Sequence, residues 1–125
     1  MVETEAEYQA ALELMSQGKF VDAAVMLQAL TAFTSDTRML AAYGICQQQR
    51  GLWAESIGLF QRALDLKPAY CESDWRNMLA TSYIKNGDPQ NALAQWRIVS
   101  QMRPTYPGHD FPIDEAKKML KDYGG

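Results

Sequence analysis

The sequence predicts an all-α protein, an α-solenoid of three helical hairpins closed by a C-terminal capping helix. Three observations carry that expectation. Apolar residues recur at three- and four-residue spacing through long stretches rich in Ala, Leu, Gln, Glu, Met and Lys, the period of an amphipathic helix. Gly18, Gly51 and Gly87 interrupt those stretches 33 and 36 residues apart, so the pattern repeats with a period near 34. No segment alternates apolar and polar residues for long enough to suggest a strand.

The elements follow in order. Leu12 and Met15, then Gly18-Lys19, then Phe20, Ala23, Ala24, Leu27 and Leu30 mark a first hairpin over about 4–33. Leu40, Tyr43 and Gly44 before Gly51, and Ile57, Phe60, Ala63 and Leu64 after it, mark a second over about 37–67. Leu79, Tyr83 and Ile84 before Gly87, and Ala92, Leu93, Trp96 and Val99 after it, mark a third over about 72–103. Each glycine falls where a helix C-terminus favours a positive φ. Asp88-Pro89 offers an N-cap acceptor followed by a proline at the first helical position. Pro68 and Pro104 close the second and third pairs. Phe111-Pro112 should then start a capping helix over about 112–122, with Ile113, Ala116 and Leu120 on one side, its acids early and its lysines late, as the helix dipole prefers. Small residues at Ala11, Gly44 and Ala80 should let each first helix approach its second, at Ala23, Ser56 and Ala92. Leu27, Phe60 and Trp96 should fill the space between neighbouring hairpins. The connector Ala69-Tyr70-Cys71-Glu72 is two residues longer than the usual unit. It either extends the next helix or loosens an interface.

A two-helix unit repeating near 34 residues resembles the tetratricopeptide repeat. In the second unit Leu40-x2-Tyr43-Gly44-x2-Gln47, Ser56-x3-Phe60, Ala63 and Pro68 fall in that family's places. In the third, Arg76-x2-Leu79-Ala80-x2-Tyr83, Gly87, Ala92-x3-Trp96, Val99 and Pro104 do the same. The first is weaker: Glu7-x2-Ala10-Ala11-x2-Leu14, Gly18, Ala23-x3-Leu27 and Leu30, with Ser35 where proline is usual. The resemblance spans residues 4 to 104 and implies repeats at about 4–36, 37–70 and 73–106 in one domain over 1–125.

Composition and motifs exclude several functions. Hydrophobic residues make up 47% and charged residues 22% of 125, with net charge -3, as in an ordinary soluble domain with no electrostatic footprint for nucleic acid or anionic membrane. The opening Met1-Val2-Glu3-Thr4-Glu5-Ala6-Glu7 is acidic where a secretory signal is basic. The longest uncharged runs, such as residues 23–33, fall far short of the ~20 apolar residues of a spanning helix. A cytosolic protein with reduced Cys46 and Cys71 is expected. His109 stands alone and the two cysteines lie 25 residues apart, so neither a metal site nor a cofactor is expected. Glu3, Glu5, Glu7 and Glu13 suit the helix dipole and solvent better than acid–base work. With no nucleophile in a recognisable turn, no enzyme is expected. Lys117, Lys118 and Lys121 read as a solvated helix end, and Met26 and Met78 as packing.

Function then rests on the surface that the stack creates. The resemblance implies a concave groove lined by the first helices of the hairpins. By position it presents Glu5, Tyr8, Leu12, Met15 and Ser16, then Arg38, Ala41, Ile45, Gln48 and Gln49, then Asp74, Asn77, Thr81, Ile84 and Lys85. Family members that grip the acidic C-terminus of heat-shock chaperones use a Lys/Asn/Asn/Lys/Arg clamp. The matching positions here are Tyr8, Leu12, Ala42, Asp74 and Met78, so that mode is excluded. The groove should take a protein segment with apolar anchors.

The run Gln17-Gly18-Lys19-Phe20-x-Asp22-Ala23, then Gln28-Ala29-Leu30, Asp36-x-Arg38, Gly44-x-Cys46-x-Gln48 and Gly51-x-Trp53-x-x-Ser56-Ile57, is similar to the translocator chaperones of bacterial type III secretion. That resemblance implies a cytosolic binder that keeps membrane-inserting secretion substrates soluble, with a homodimer among its possible states. The alternative is a scaffold or assembly factor acting through self-association or its convex face.

Overall fold

The turns build the architecture. At Gly18, Gly51 and Gly87, φ is +76°, +73° and +80°, values that cost a residue without Cβ nothing. The following amide then reaches back five residues: Lys19 N–H to Leu14 O (2.9 Å), Leu52 N–H to Gln47 O (2.8 Å) and Asp88 N–H to Tyr83 O (2.8 Å). This is the Schellman closure of a helix, made three times at the same place in the repeat. The computed structural model describes residues 4–124, so Glu3 of the acidic cluster lies outside the described residues. It contains α1 (Thr4–Ser16), α2 (Phe20–Thr31), α3 (Thr37–Gln49), α4 (Trp53–Asp65), α5 (Glu72–Lys85), α6 (Pro89–Ser100) and α7 (Asp110–Gly124). The described residues form no strand. The chain divides into two compact units between Leu66 and Lys67.

The first unit holds α1 to α4. Its core gathers Ala11, Ala23, Ala24, Leu27 and Leu30 with Met39, Ala42 and Cys46 of α3. Within the second hairpin the Phe60 ring lies so close to Gly44 that a Cβ there would stand 2.9 Å from Cε2. Phe60 therefore fills the space between the two helices of its own hairpin. Asp36 caps α3 by accepting from Arg38 N–H at 2.9 Å, and Thr37 Oγ1 donates to Ala63 O at 2.8 Å, fixing the start of α3 to the end of α4.

The second unit holds α5 to α7. Asp88 caps α6, accepting from Asn91 N–H at 3.3 Å, with Pro89 at the first turn. Trp75, Leu79, Ala80, Ala92, Leu93, Trp96 and Val99 are buried, as are Ile113 and Ala116 of α7. Trp96 stacks on Tyr123 with centroids 5.5 Å apart. Leu120, expected on the same side, is half-buried.

Two expectations change. The capping helix starts at Asp110 rather than near Pro112, which becomes its third residue; first-turn amides have no intrahelical partner, so proline fits there. The early start follows from His109, which is buried. Its Nδ1 accepts from Thr105 N–H at 3.1 Å, and its ring stacks on Tyr106 at 4.2 Å. Tyr106 in turn meets Tyr70 edge to face. The longer connector mostly forms a turn: Lys67 and Cys71 adopt φ +52° and +68°, while α5 has 14 residues against 13 in α1 and α3.

Candidate functional site

Helix geometry gives each first helix a side toward its own partner helix, a side toward whatever stacks next, and a remaining stripe. Burial sorts the expected groove residues among these. Tyr8, Ala41 and Asn77 occupy one register position, 33 and 36 residues apart, and are only 8%, 2% and 5% exposed. In the first unit the Arg38 guanidinium of α3 lies 4.9 Å above the Tyr8 ring. In the second, Asn77 Nδ2 donates to Pro112 O at 2.9 Å and to Glu115 Oε2 at 3.2 Å on α7. The Asn77 amide thus holds the capping helix. Helical spacing identifies a stripe but not which of its flanks a neighbouring helix covers.

The next positions stay accessible. Leu12 and Ile45 are half-buried and Thr81 is exposed; Met15, Gln48 and Ile84 are half-buried; Ser16, Gln49 and Lys85 are exposed. In the first unit this leaves three apolar side chains beside two amides and a hydroxyl. Leu12 and Met15 also pack against the core, so their outer atoms are held in place rather than free to collapse. In the second unit Thr81 Oγ1 donates to Asn77 O at 3.2 Å. That stripe carries one aliphatic residue, Ile84, between Asp74 and Lys85.

One edge of the first stripe is charged. Arg38 reaches Glu5 at 3.0 Å and Asp36 at 2.9 Å. Hydrogen bonds from the guanidinium hold both carboxyls below their ordinary range, and the same bonds raise the Arg38 pKa. The trio couples the first turns of α1 and α3. Asp36-x-Arg38 was legible as a motif, but its link to Glu5, 33 residues away, had no local signal.

Chemically the stripe can shelter apolar side chains and offer amides to a backbone. Cys46 is sealed in the core, where burial pushes its thiol up to about 11, far from a reactive thiolate. Among the described residues no three His, Cys, Asp or Glu side chains group as metal ligands. No described helix is long and apolar enough to cross a membrane.

The family model described as tetratricopeptide repeat matches residues 8–70. No curated protein matches the sequence. Solved structures do match in three dimensions. PcrH from Pseudomonas aeruginosa superposes with TM-score 0.88 at 21% identity, covering 100% of this chain and 96% of that one. PcrH in complex with the chaperone binding region of PopD gives 0.87 at 21%, covering 96% and 90%. The Yersinia enterocolitica type III secretion chaperone SycD in complex with a peptide of the translocator YopD gives 0.86 at 20%, covering 96% and 91%. At these identities the likeness establishes the fold.

Proposed function

Because the chain belongs to the tetratricopeptide repeat family, we propose that it is a non-enzymatic, cytosolic chaperone that holds a segment of a secreted, type III translocator-like protein. The segment lies on the first-unit stripe of α1 and α3. The observation that carries this reading is the first-unit stripe, where Leu12, Met15 and Ile45 stand half-buried beside Gln48, Gln49 and Ser16. Apolar anchors of an extended or helical segment would seat against the three aliphatic side chains while the amides meet its backbone. Chaperones of the same fold seen with translocator peptides support the choice of partner class. Arg38 is bound to two carboxylates of its own chain, so the edge favours a segment without strong negative charge. Tyr8, Ala41 and Asn77, all buried, leave the set of contacts.

Tagged protein purified from its native cell should bring this partner with it. Ile45→Asp should abolish co-purification while circular dichroism and the melting temperature stay near wild type; partner retention by the folded variant would exclude this surface. A second reading, self-assembly, draws on Val21, Val25 and Phe33, exposed at 57%, 64% and 88%. Light scattering over a concentration series separates the two, because self-association beyond a dimer belongs to the scaffold alone.

A further inference from the structure

A hollow of about 500 Å³ opens in the first unit on the side of α2 and α4, lined by Gln28, Thr31, Ala32, Tyr43, Glu55, Gly58, Leu59 and Arg62. Its size falls within the range of ligand sites, and none of its residues belongs to the stripe of the first helices. Gly58 is the unexpected member. It lies inside α4 at a helical φ, and a Cβ added there would meet nothing within 4 Å. Gly44 is explained by the Phe60 ring, but nothing in the fold requires a glycine at 58. A helix-interior glycine costs about 0.5–1 kcal/mol relative to alanine. Its effect here is to leave the floor of the hollow bare, where another chain can approach the helix backbone closely.

The charges around that floor are unequal. Glu55 accepts from Gln47 Nε2, and Gln47 Oε1 in turn accepts from Arg50, so Glu55 is engaged within the fold. Tyr43 is half-buried, and burial with the nearby Glu55 raises its pKa, keeping it a neutral hydrogen-bonding group. Among the described residues no carboxylate pairs with Arg62. Arg62 stands one helical turn beyond Gly58, about 6 Å along α4, with the apolar surfaces of Leu59 and Ala32 between the walls.

We propose that this hollow is a second docking site, separate from the first-helix stripe, for a helical partner segment that presents an aliphatic side chain and a carboxylate one turn apart. The aliphatic group seats on Gly58, Leu59 and Ala32, and the carboxylate meets the Arg62 guanidinium. An acidic partner fits because Arg62 makes no ion pair among the described residues, whereas Glu55 already accepts a hydrogen bond from Gln47.

The test uses three blocked, alanine-rich helical peptides titrated into isotope-labelled protein by NMR. One carries Leu and Glu at i and i+4, one carries Leu and Lys, and one carries Ala and Glu. The expected result is amide shifts centred on residues 55–62 with the Leu/Glu peptide, and weakening of roughly tenfold or more when Glu becomes Lys, about the 1.4 kcal/mol of one modest ion pair. The Ala/Glu peptide should also bind more weakly. Arg62→Glu should reverse the Glu-over-Lys order, Gly58→Trp should remove the shifts, and Ile45→Asp should leave them unchanged. Gly58→Ala should raise the melting temperature. Shifts absent from 55–62, an order unmoved by Arg62→Glu, binding that survives Gly58→Trp, or a lower melting temperature for Gly58→Ala would each overturn the proposal. Loss of binding in Ile45→Asp would assign the peptide to the first-helix stripe instead.

Discussion

In the first unit α1 meets α3 through Arg38, which covers Tyr8 and links Glu5 to Asp36 at the surface. In the second, α5 meets α7 through Asn77, whose buried amide donates to Pro112 O and Glu115 Oε2. The same register position is thus closed by an aromatic ring under a cation in one unit and by a hydrogen-bonded amide in the other. The first unit closes on another repeat, so its helices share an apolar seam. The second closes on a helix outside the repeat pattern, and a polar pin together with Trp96 stacked on Tyr123 does that work. The cost is visible: Ser73 Oγ and Asn77 Oδ1 are buried without a hydrogen-bond partner, both in the second unit. Closing a repeat array with a non-repeat element secures the end but leaves polar loose ends.

The largest expected effect tests the seam of the second unit. Trp96 is 1% exposed, and Trp96→Ala should cost about 3–5 kcal/mol in urea unfolding. Hydrogen exchange should show protection lost first in α5, α6 and α7; equal loss in α1 to α4 would erase the distinction between the units. Next comes the polar pin. Asn77→Ala leaves the Pro112 carbonyl without its donor and should cost about 1–3 kcal/mol, with exchange in α7 rising most. No change in α7 would show that apolar packing alone holds it.

A smaller, pH-dependent effect belongs to the first unit. Glu5 and Asp36 have folded pKa values below their unfolded ones. Their stabilisation is present above the unfolded values and is lost as pH falls through the folded ones, so it should fade below about pH 4. Glu5 is exposed and Asp36 half-buried at the surface, so the effect is small and salt-sensitive. Arg38→Ala should flatten this part of the acid-unfolding curve; an unchanged acid limb would mean that the trio contributes nothing. The smallest effect has the opposite sign. Ser73→Ala removes a buried hydroxyl without a partner and should be neutral or stabilising by up to about 1 kcal/mol. A clear loss would show that the hydroxyl is satisfied after all.

Much of the fold was legible because its determinants are local. The three glycines at positive φ, the Asp88 cap and the apolar spacing are read within a few residues, and the helices follow. The start of α7 was not, because it depends on His109 folding onto Tyr106 and Thr105, a loop arrangement with no periodic signal. The candidate stripe was legible as a set of positions, and burial covers one column of it. Tyr8, Ala41 and Asn77 share the spacing of surface residues, and only three-dimensional packing distinguishes a flank that is covered from one that is open. The hollow around Gly58 went unseen because its residues come from three helices and match no motif.

On the proposed function, the stripe carrying Leu12 and Ile45 holds a secreted partner. A photocrosslinking amino acid placed at Ile45, and separately at exposed Val25 on α2, tests it in the native cell. An adduct with a secreted, membrane-inserting protein is expected from position 45 and none from position 25. No adduct at 45, or the same adduct from both positions, would contradict it.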